Sequence, residues 1–187
     1  MKESKPTIRK KMKQKIEHEK QKLKKSTKIM EKLFKTHEFQ QAKIIAFFVG
    51  RTNEVETKKG IEKTLKLGKT VCIPITNFKT KTLQFSTIKN FKELEEKQFQ
   101  LMEPKKEFIR KVRLNKIDLL IIPGLGFDVF KQRLGFGKGF YDRTLKKLNK
   151  KTKTIGLCFD FQIVQKLPKE KHDQKVQKII TEKRMIE

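Results

Sequence analysis

Residues 117–143, with the sequence IDLLIIPGLGFDVFKQRLGFGKGFYDR, combine an apolar run, a glycine-rich stretch and the start of a helical pattern. The segment Ile117–Ile122 is short and apolar except at Asp118, as in a strand buried on both faces of a parallel sheet. Pro123-Gly124 ends it, and five of the nine glycines of the chain fall between positions 124 and 139. The sequence therefore predicts a buried strand, a glycine-rich loop over Arg133–Gly139, and a helix over Phe140–Leu148.

Other apolar runs of this kind recur along the chain and are separated by helical patterns. We predict further strands at Ile44–Val49, Thr70–Ile75, Thr154–Phe159 and Val176–Ile180, with Leu83–Phe85 as an edge strand. Strands that alternate with helices are typical of an α/β fold with a mostly parallel sheet flanked by helices. The length of 187 residues suits a single domain, residues 1–187.

The N-terminal residues 1–40 predict a basic helical segment packed on this domain. Ser4 is a suitable N-cap and Pro6 suits the first turn. The expected apolar stripe of its first helix consists of Ile8, Met12, Ile16 and Leu23. We also predict a helix from Thr57 to Gly68, and another over the charged stretch Phe91–Lys97.

Composition excludes several classes of protein. The longest purely apolar runs have about six residues, far short of the ~20 needed to span a membrane. The basic N-terminus has no apolar segment after it, so we expect no secretory signal and an intracellular, soluble protein. Cys72 and Cys158 each lie in an apolar run, which favours buried free thiols over a disulfide or a zinc site.

The net charge of +27 has two interpretations. It could mark a binder of nucleic acid or of a membrane surface. Alternatively, lysine is enriched on every solvated face, since the basic residues are spread along the whole chain, and weak binding of polyanions is then a side effect of composition. Both interpretations stay open at the level of charge alone.

The glycine-rich loop has the composition of a phosphate-binding site. Glycine allows backbone N–H groups to converge on an anion, and a following helix N-terminus favours negative charge. Arg133, Lys138 and Arg143 supply charge for a polyphosphate, and Asp142 could hold Mg²⁺. The spacing fits neither a dinucleotide fingerprint nor a Walker loop, and a flexible turn is the alternative.

The segment Ile117–Leu145 resembles the signature of the 5-formyltetrahydrofolate cyclo-ligase family, also called 5,10-methenyltetrahydrofolate synthetases. The resemblance continues in order over nearly the whole chain. The matching segments are Lys5–Lys10, Phe47–Gly50, Glu54–Thr57, Gly68–Val71 with Pro74, Glu103-Pro104, and then Gly156, Phe159, Gln162, Leu167-Pro168, His172-Asp173 and Ile179–Glu182.

This resemblance implies an activity, a fold and a location. Members of the family convert 5-formyltetrahydrofolate, ATP and Mg²⁺ into 5,10-methenyltetrahydrofolate, ADP and phosphate. The expected route is phosphorylation of the formyl oxygen followed by attack of N10. The family fold is a three-layer, Rossmann-like domain, and we expect a cytoplasmic monomer whose partner is the small-molecule folate, with no membrane attachment.

The resemblance also assigns roles to individual residues. Catalytic roles go to Lys138 and Arg133, and Mg²⁺ ligation goes to Asp142 and Asp173. The ATP contacts it implies are Lys5, Arg9, Arg133, Leu134, Gly135, Phe136, Gly137, Lys138, Gly139, Phe140 and Tyr141. The folate contacts it implies are Val49, Glu54, Phe136, Gly137, Lys138, Gly139, Phe140 and Tyr141. We assign no catalytic role to His172.

Several of these residues also have ordinary structural interpretations. Glu54 suits the acidic position near a helix N-terminus, Val49 suits the core, and Asp173 suits the surface. The chain also departs from the family pattern: Phe140 stands where tyrosine is common, and Lys138 stands where many members have glycine. A basic nucleic-acid-binding protein on this fold, or a paralogue that activates another substrate with ATP, are the alternative functions.

Overall fold

The fold is organised around an eight-stranded sheet in the computed structural model, which describes residues 3–170 and 173–187. The strands are β1 (Ile44–Ala46), β2 (Thr70–Asn77), β3 (Thr82–Ile88), β4 (Leu94–Lys97), β5 (Leu101–Pro104), β6 (Lys111–Val112), β7 (Leu119–Pro123), β8 (Gly126–Asp128), β9 (Arg133–Leu134), β10 (Lys153–Leu157), β11 (Ile163–Val164), β12 (Lys178–Ile180) and β13 (Met185–Ile186). The α-helices are α1 (Lys5–Glu17), α2 (Lys22–Lys35), α3 (His37–Gln41), α4 (Lys58–Lys66) and α5 (Phe140–Lys146). Short 3₁₀ turns lie at Phe91–Glu93, Gln98–Gln100, Lys106–Phe108, Leu114–Lys116 and Asp160–Gln162.

The large sheet has the strand order β13-β12-β10-β7-β1-β2-β3-β6. Its five central strands, from β12 to β2, run parallel, and β13, β3 and β6 pair antiparallel at the two edges. The central register pairs Ile45 with Val71 on one side and with Leu119 on the other. This mostly parallel α/β sheet confirms the predicted fold class.

Alternate residues of the central strands pack into two separate hydrophobic clusters, one on each face of the sheet. Ile45, Leu119 and Ile121 pack with Ile29 of α2 and Ile61 of α4 on one face of the sheet. Their neighbours along the strands pack on the other face, where α5 lies; this second cluster includes Ala46, Leu120, Ile122, Phe127, Tyr141 and Leu145. The sheet is therefore covered on both faces, which explains why its central strands are continuous apolar runs.

A smaller sheet supports the N-terminal helix. It has the order β11-β8-β9, and Leu134 of β9 packs against Ile8 and Met12 of α1 in a third cluster. Ser4 caps α1 as predicted, with its side chain accepting a hydrogen bond from the Thr7 N–H. The helix lies beside the glycine-rich loop because that loop continues directly from β9.

Three local predictions were wrong. The stretch Phe91–Lys97 is not helical: its first three residues form a 3₁₀ turn and Leu94–Lys97 pairs with β5. Leu23 lies in α2, is 68% exposed and does not continue the apolar stripe of α1. The first strand ends at Ala46, earlier than the predicted Val49. No helix in the described part of the chain is long and apolar enough to cross a membrane.

Candidate active site

A cavity of about 280 Å³ opens at the carboxyl ends of the central strands. Residues that follow β1, residues near the end of β2 and the last residue of β7 line it, as do parts of the glycine-rich loop and of the β4–β5 hairpin. Open α/β sheets bind ligands at this position, because the loops that follow the parallel strands meet there. The lining residues are Lys13, Phe48, Val49, Arg51, Glu54, Pro74, Thr76, Phe78, Leu83, Phe99, Leu101, Met102, Glu103, Pro123, Arg133, Gly135, Phe136, Lys138, Gly139, Phe140 and Tyr141.

The glycine-rich loop needs glycine for two different reasons. Gly137 has a φ of +104°, which side chains with a Cβ rarely adopt. At Gly135 a Cβ would lie 2.6 Å from Nη1 of Arg133, so the missing side chain makes room for the guanidinium. Arg9 of α1 reaches across and donates from Nε to the Gly135 carbonyl at 3.0 Å. The loop is thus held between the cavity and α1.

Buried Arg133 and half-buried Asp142 form an ion pair under this loop. Arg133 is 5% exposed, and its Nη2 donates to Oδ2 of Asp142 at 2.8 Å. Nη1 contacts the Pro123 carbonyl at 3.4 Å. In the described residues, Nε of Arg133 and Oδ1 of Asp142 are buried and have no hydrogen-bond partner. Buried polar atoms rarely stay unpaired in folded proteins, so these two atoms have hydrogen-bonding capacity available to a polar ligand or to water.

The second predicted metal ligand, Asp173, is also paired with a cation. Lys5 of α1 is 8% exposed and donates from Nζ to both Asp173 oxygens, at 2.8 and 2.6 Å. Residues 3–170 and 173–187 contain no cluster of three or more histidine, cysteine or acidic side chains able to hold a metal ion. His172 lies outside the described residues.

Glu54 is engaged by a neighbouring arginine. Its carboxylate is 8% exposed and accepts from Arg51 Nη2 at 3.0 Å, while Nε and the backbone N–H of Arg51 both donate to the other oxygen at 3.1 Å. The Arg51 guanidinium lies over the Phe136 ring, 4.4 Å from its centroid. Loss of solvation, followed by the nearby Glu54 carboxylate, raises the pKa of Tyr141. Tyr141 therefore keeps its hydroxyl proton and can donate a hydrogen bond.

The predicted site residues divide into two groups. Val49, Glu54, Arg133, Gly135, Phe136, Lys138, Gly139, Phe140 and Tyr141 line the cavity. Lys5, Arg9, Gly137, Asp142 and Asp173 lie outside its lining, and the contacts above connect Arg9 and Asp142 to the loop. The Leu134 side chain is 1% exposed and packs on α1, so only its backbone is available to a ligand.

The structure adds four cavity residues to which the sequence analysis assigned no role. Phe78 and Phe99 face each other with ring centroids 5.5 Å apart, and Nζ of Lys138 lies 3.8 Å from the Phe99 centroid. Glu103 is 8% exposed, and one of its oxygens accepts from the Thr76 N–H at 2.8 Å. Arg51 joins them as the partner of Glu54. Glu103 could have been found from the sequence, because the Glu103-Pro104 pair is one of the segments that resemble the family. Phe78 and Phe99 come from separate hairpins, and no sequence motif marks them.

Comparisons with known proteins agree with this architecture. The chain is 34% identical over 148 residues to the 5-formyltetrahydrofolate cyclo-ligase of Escherichia coli strain K12. This alignment covers 78% of this chain and 81% of the relative. It is 31% identical over 171 residues to the Mus musculus cyclo-ligase, covering 87% of this chain and 84% of the relative.

Two solved structures are similar in fold. The NMR structure of Aquifex aeolicus 5,10-methenyltetrahydrofolate synthetase superimposes with a TM-score of 0.85 at 28% identity, covering 97% of this chain and 91% of that one. The synthetase of Mycoplasma pneumoniae gives a TM-score of 0.78 at 25% identity, covering 96% and 99%.

The family model agrees with both sets of relatives. It matches residues 1–182 and carries the description 5-formyltetrahydrofolate cyclo-ligase family. The resemblance seen in the sequence is therefore confirmed, and the chain belongs to the 5-formyltetrahydrofolate cyclo-ligase family of enzymes.

Proposed function

We propose that the chain uses ATP and Mg²⁺ to convert 5-formyltetrahydrofolate into 5,10-methenyltetrahydrofolate, ADP and phosphate. One observation carries the proposal: a single cavity is lined by a cationic, glycine-rich loop, by buried carboxylates and by aromatic rings. The backbone and cations of the loop suit a triphosphate, and we call them the nucleotide side. The carboxylates and aromatic rings suit a pterin ring, and we call them the folate side; the phosphoryl group and the formyl oxygen would meet where the two sets of residues adjoin.

The nucleotide side is formed by the loop and α1. Gly137 leaves the loop open to a close approach of phosphate oxygens, and Arg9 lies within 4 Å of the position that a Cβ of Gly137 would take. The unpartnered Nε of Arg133 can donate to one of those oxygens. We assign neutralisation of the developing charge to Arg133 and Lys138, because both line the cavity and both are cationic.

The residues present fit a magnesium ion coordinated mainly by phosphate. Mg²⁺ usually takes one or two protein carboxylates and fills its other positions with water and substrate phosphates. Asp142 offers a buried oxygen, Oδ1, that has no partner in the described chain. Asp173 is the second candidate, and it would have to share its carboxylate with Lys5. When bound, the ion neutralises triphosphate charge.

The folate side has the chemistry of a pterin pocket. Phe78, Phe99, Phe136 and Phe140 supply flat apolar surfaces. Glu103 has one oxygen held by Thr76 and a second that is free to accept from a pterin N–H. Arg51 donates to both oxygens of Glu54 and so fixes the position from which this carboxylate can accept a hydrogen bond from the folate.

The chemistry needs positioning more than it needs an acid or a base. The formyl oxygen is a poor leaving group until the γ-phosphoryl group of ATP is transferred to it. N10 of the same folate then attacks the formyl carbon, N10 loses its proton, and the C–O bond breaks so that the oxygen leaves in inorganic phosphate. Because N10 is already part of the substrate, the residues of this chain need only align the reacting groups and exclude water.

The direct test mixes the purified chain with 5-formyltetrahydrofolate, ATP and MgCl₂. We expect the absorbance of the methenyl product to grow with release of one ADP per product, and we expect no product when ATP or Mg²⁺ is omitted. A folded protein that releases ADP only with a different acceptor would favour the paralogue interpretation. Salt-sensitive RNA binding with no turnover would favour the nucleic-acid interpretation.

A further inference from the structure

Arg51 contacts residues that belong to different sides of the proposed site. It lies in the turn that follows β1 and lines the cavity. Its guanidinium donates from Nε to one oxygen of Glu54 and from Nη2 to the other, at 3.1 and 3.0 Å. The same planar group lies over the ring of Phe136, 4.4 Å from its centroid. Glu54 is a carboxylate of the folate side and Phe136 is part of the glycine-rich loop, so one side chain bridges two segments that are distant in sequence.

The turn that carries Arg51 is itself well anchored. The backbone N–H of Glu54 donates to the Arg51 carbonyl at 3.0 Å, and the N–H of Gly50 donates to the Thr57 hydroxyl at 3.0 Å. Thr57 is fully buried, and its hydroxyl donates in turn to the Phe48 carbonyl at 2.8 Å. Backbone and side-chain hydrogen bonds therefore fix the turn, and with it the position of the guanidinium.

Phe136 occupies the part of the glycine-rich loop whose backbone has the most freedom. The loop is held near its two ends by arginines of α1 and α5, which donate to two of its carbonyls at 3.0 and 3.1 Å. Between these points Phe136 is flanked by Gly135 and Gly137, and glycine loses more conformational freedom on ordering than any other residue. The contact with Arg51 therefore restrains the loop where its own backbone restrains it least.

We propose that Arg51 is a positioning residue for the glycine-rich loop, which it holds through Phe136 in the conformation that receives the nucleotide. An arginine that pairs with a folate-side carboxylate thus sets the affinity for ATP. A loop that is ordered in advance binds phosphate more tightly, because less conformational entropy is lost when the ligand arrives. The identity of the nucleotide rests on the proposed function, whereas the order of the loop can be measured with no ligand present.

The first test measures loop order in the chain without ligand. We expect backbone order parameters from NMR relaxation of about 0.8 for residues 135–139 in the wild-type chain, and below about 0.6 in Arg51→Met. Arg51→Lys keeps the charge but has neither the planar group nor the two-pronged donor, so we expect it to resemble Arg51→Met. Unchanged order parameters in Arg51→Met would overturn the inference, and full recovery in Arg51→Lys would exclude stacking as the cause.

The second test measures nucleotide affinity without turnover. Calorimetry with Mg²⁺ and β,γ-imido-ATP should give a dissociation constant about tenfold higher for Arg51→Met than for the wild-type chain, because a partly desolvated cation–π contact is lost. A loop that loosens with no loss of nucleotide affinity would refute the proposed role of Arg51. If the wild-type chain bound no nucleotide, the proposed function would fail, and the order parameters would still decide whether Arg51 positions the loop.

Arg110→Met is the matched control. Arg110 also pairs with a buried glutamate, Glu93, and neither residue lines the cavity. The general effects of losing a cation and of leaving a buried carboxylate unpaired are therefore common to both variants. We expect the control to keep the loop ordered and to bind β,γ-imido-ATP within about twofold of the wild-type chain. An equal change in the control would contradict a specific role for Arg51.

A second variant keeps the inference testable if Arg51→Met folds poorly. Phe136→Leu leaves the pair of Arg51 with Glu54 intact and removes only the ring, so we expect the same fall in loop order with little change in urea denaturation. Because both substitutions break one contact, the loop of the double variant should be no less ordered than that of either single variant. Additive losses of order would mean that Arg51 does not act through Phe136.

Discussion

Asp128 and Asp142 lie on either side of the glycine-rich loop and are paired in opposite ways. Asp128 is fully buried, and its carboxylate accepts from the backbone N–H groups of Phe130, Gln132 and Leu167, each at 2.9 Å. Asp142 accepts from Arg133 through one oxygen, and its other oxygen has no partner in the described chain. The first aspartate completes a turn, whereas the second leaves capacity for a ligand.

The same contrast holds between the sheet and the loop as regions. Among the described residues, the buried side-chain atoms without a partner are Gln132 Oε1, Arg133 Nε and Asp142 Oδ1. Gln132 directly precedes β9, Arg133 is the first residue of β9, and Asp142 lies in α5. None of the three belongs to a central strand of the large sheet. Unsatisfied buried groups cost free energy, so their concentration at one place is typical of a functional site.

The largest effect is expected at Arg133. Arg133→Met removes the cation that we assign to the transferring phosphoryl group, and we expect turnover to fall about 1000-fold. The substitution also leaves the half-buried Asp142 without its cation, which should lower the free energy of unfolding by about 3 kcal/mol. Steady-state product formation and urea denaturation measure the two effects separately.

A second substitution separates catalysis from folding at this pair. Adding Asp142→Asn to Arg133→Met removes the unpaired charge, so stability should recover while turnover stays low. If the double variant kept more than about a tenth of wild-type turnover, Arg133 and Asp142 would be structural residues only and the contrast with Asp128 would disappear.

The next largest effect is expected at Asp128 and concerns stability. Asp128→Ala leaves three backbone N–H groups without an acceptor, and we expect the free energy of unfolding to fall by about 3 kcal/mol. Turnover per folded molecule should stay within about twofold, measured below the unfolding transition. A large loss of turnover with unchanged unfolding would place Asp128 in the site and contradict our interpretation.

A smaller effect is expected at Glu103. Glu103→Gln keeps an acceptor for the Thr76 N–H but removes the free charged oxygen, so KM for 5-formyltetrahydrofolate should rise about tenfold with little change in stability. Glu107→Gln, at an exposed carboxylate near the same hairpin, is the matched control and should behave as wild type. Equal KM values for the two variants would remove Glu103 from the folate side of the cavity.

The smallest effect is expected at the two cysteines. Burial raises the pKa of Cys72 to about 12, and burial together with nearby Glu182 and Asp160 raises the pKa of Cys158. Both thiols therefore stay protonated at neutral pH and are poor nucleophiles. Cys72→Ala with Cys158→Ala should leave turnover within about twofold at equal concentrations of folded protein. Inactivation of a double variant with a normal melting temperature would show that a thiol takes part in catalysis.

Much of the fold could be predicted from the sequence because its signals are local. The run Ile117–Ile122 is apolar except at Asp118, which is exposed, and the Ser4 cap of α1 lies next to the helix it starts. The hairpin of β4 and β5 was missed because Leu94–Lys97 contains residues that also suit a helix. Only pairing with β5 makes this segment a strand, and such pairing overrides local preference.

Less of the site than of the fold could be predicted, because most of its contacts join segments that are distant in sequence. The glycine-rich loop is contiguous, so its composition reveals a candidate phosphate site. Phe78, Phe99 and Lys138 come together from three distant segments, and nothing in their immediate neighbours indicates this. The pairing of Glu54 with Arg51 lies within four residues, yet it needed the geometry of the turn after β1 to be seen.

The contact between Lys5 and Asp173 joins residues separated by 168 positions and so has a consequence for biosynthesis. Translation proceeds from the N-terminus, so α1 is made before the acidic partner of Lys5. Under the proposed function, the nucleotide side of the cavity can therefore be completed only after translation has passed Asp173. Until that point ATP would add no stability through this contact, and folding would rely on apolar packing among the strands already made, which do not yet include β12 and β13.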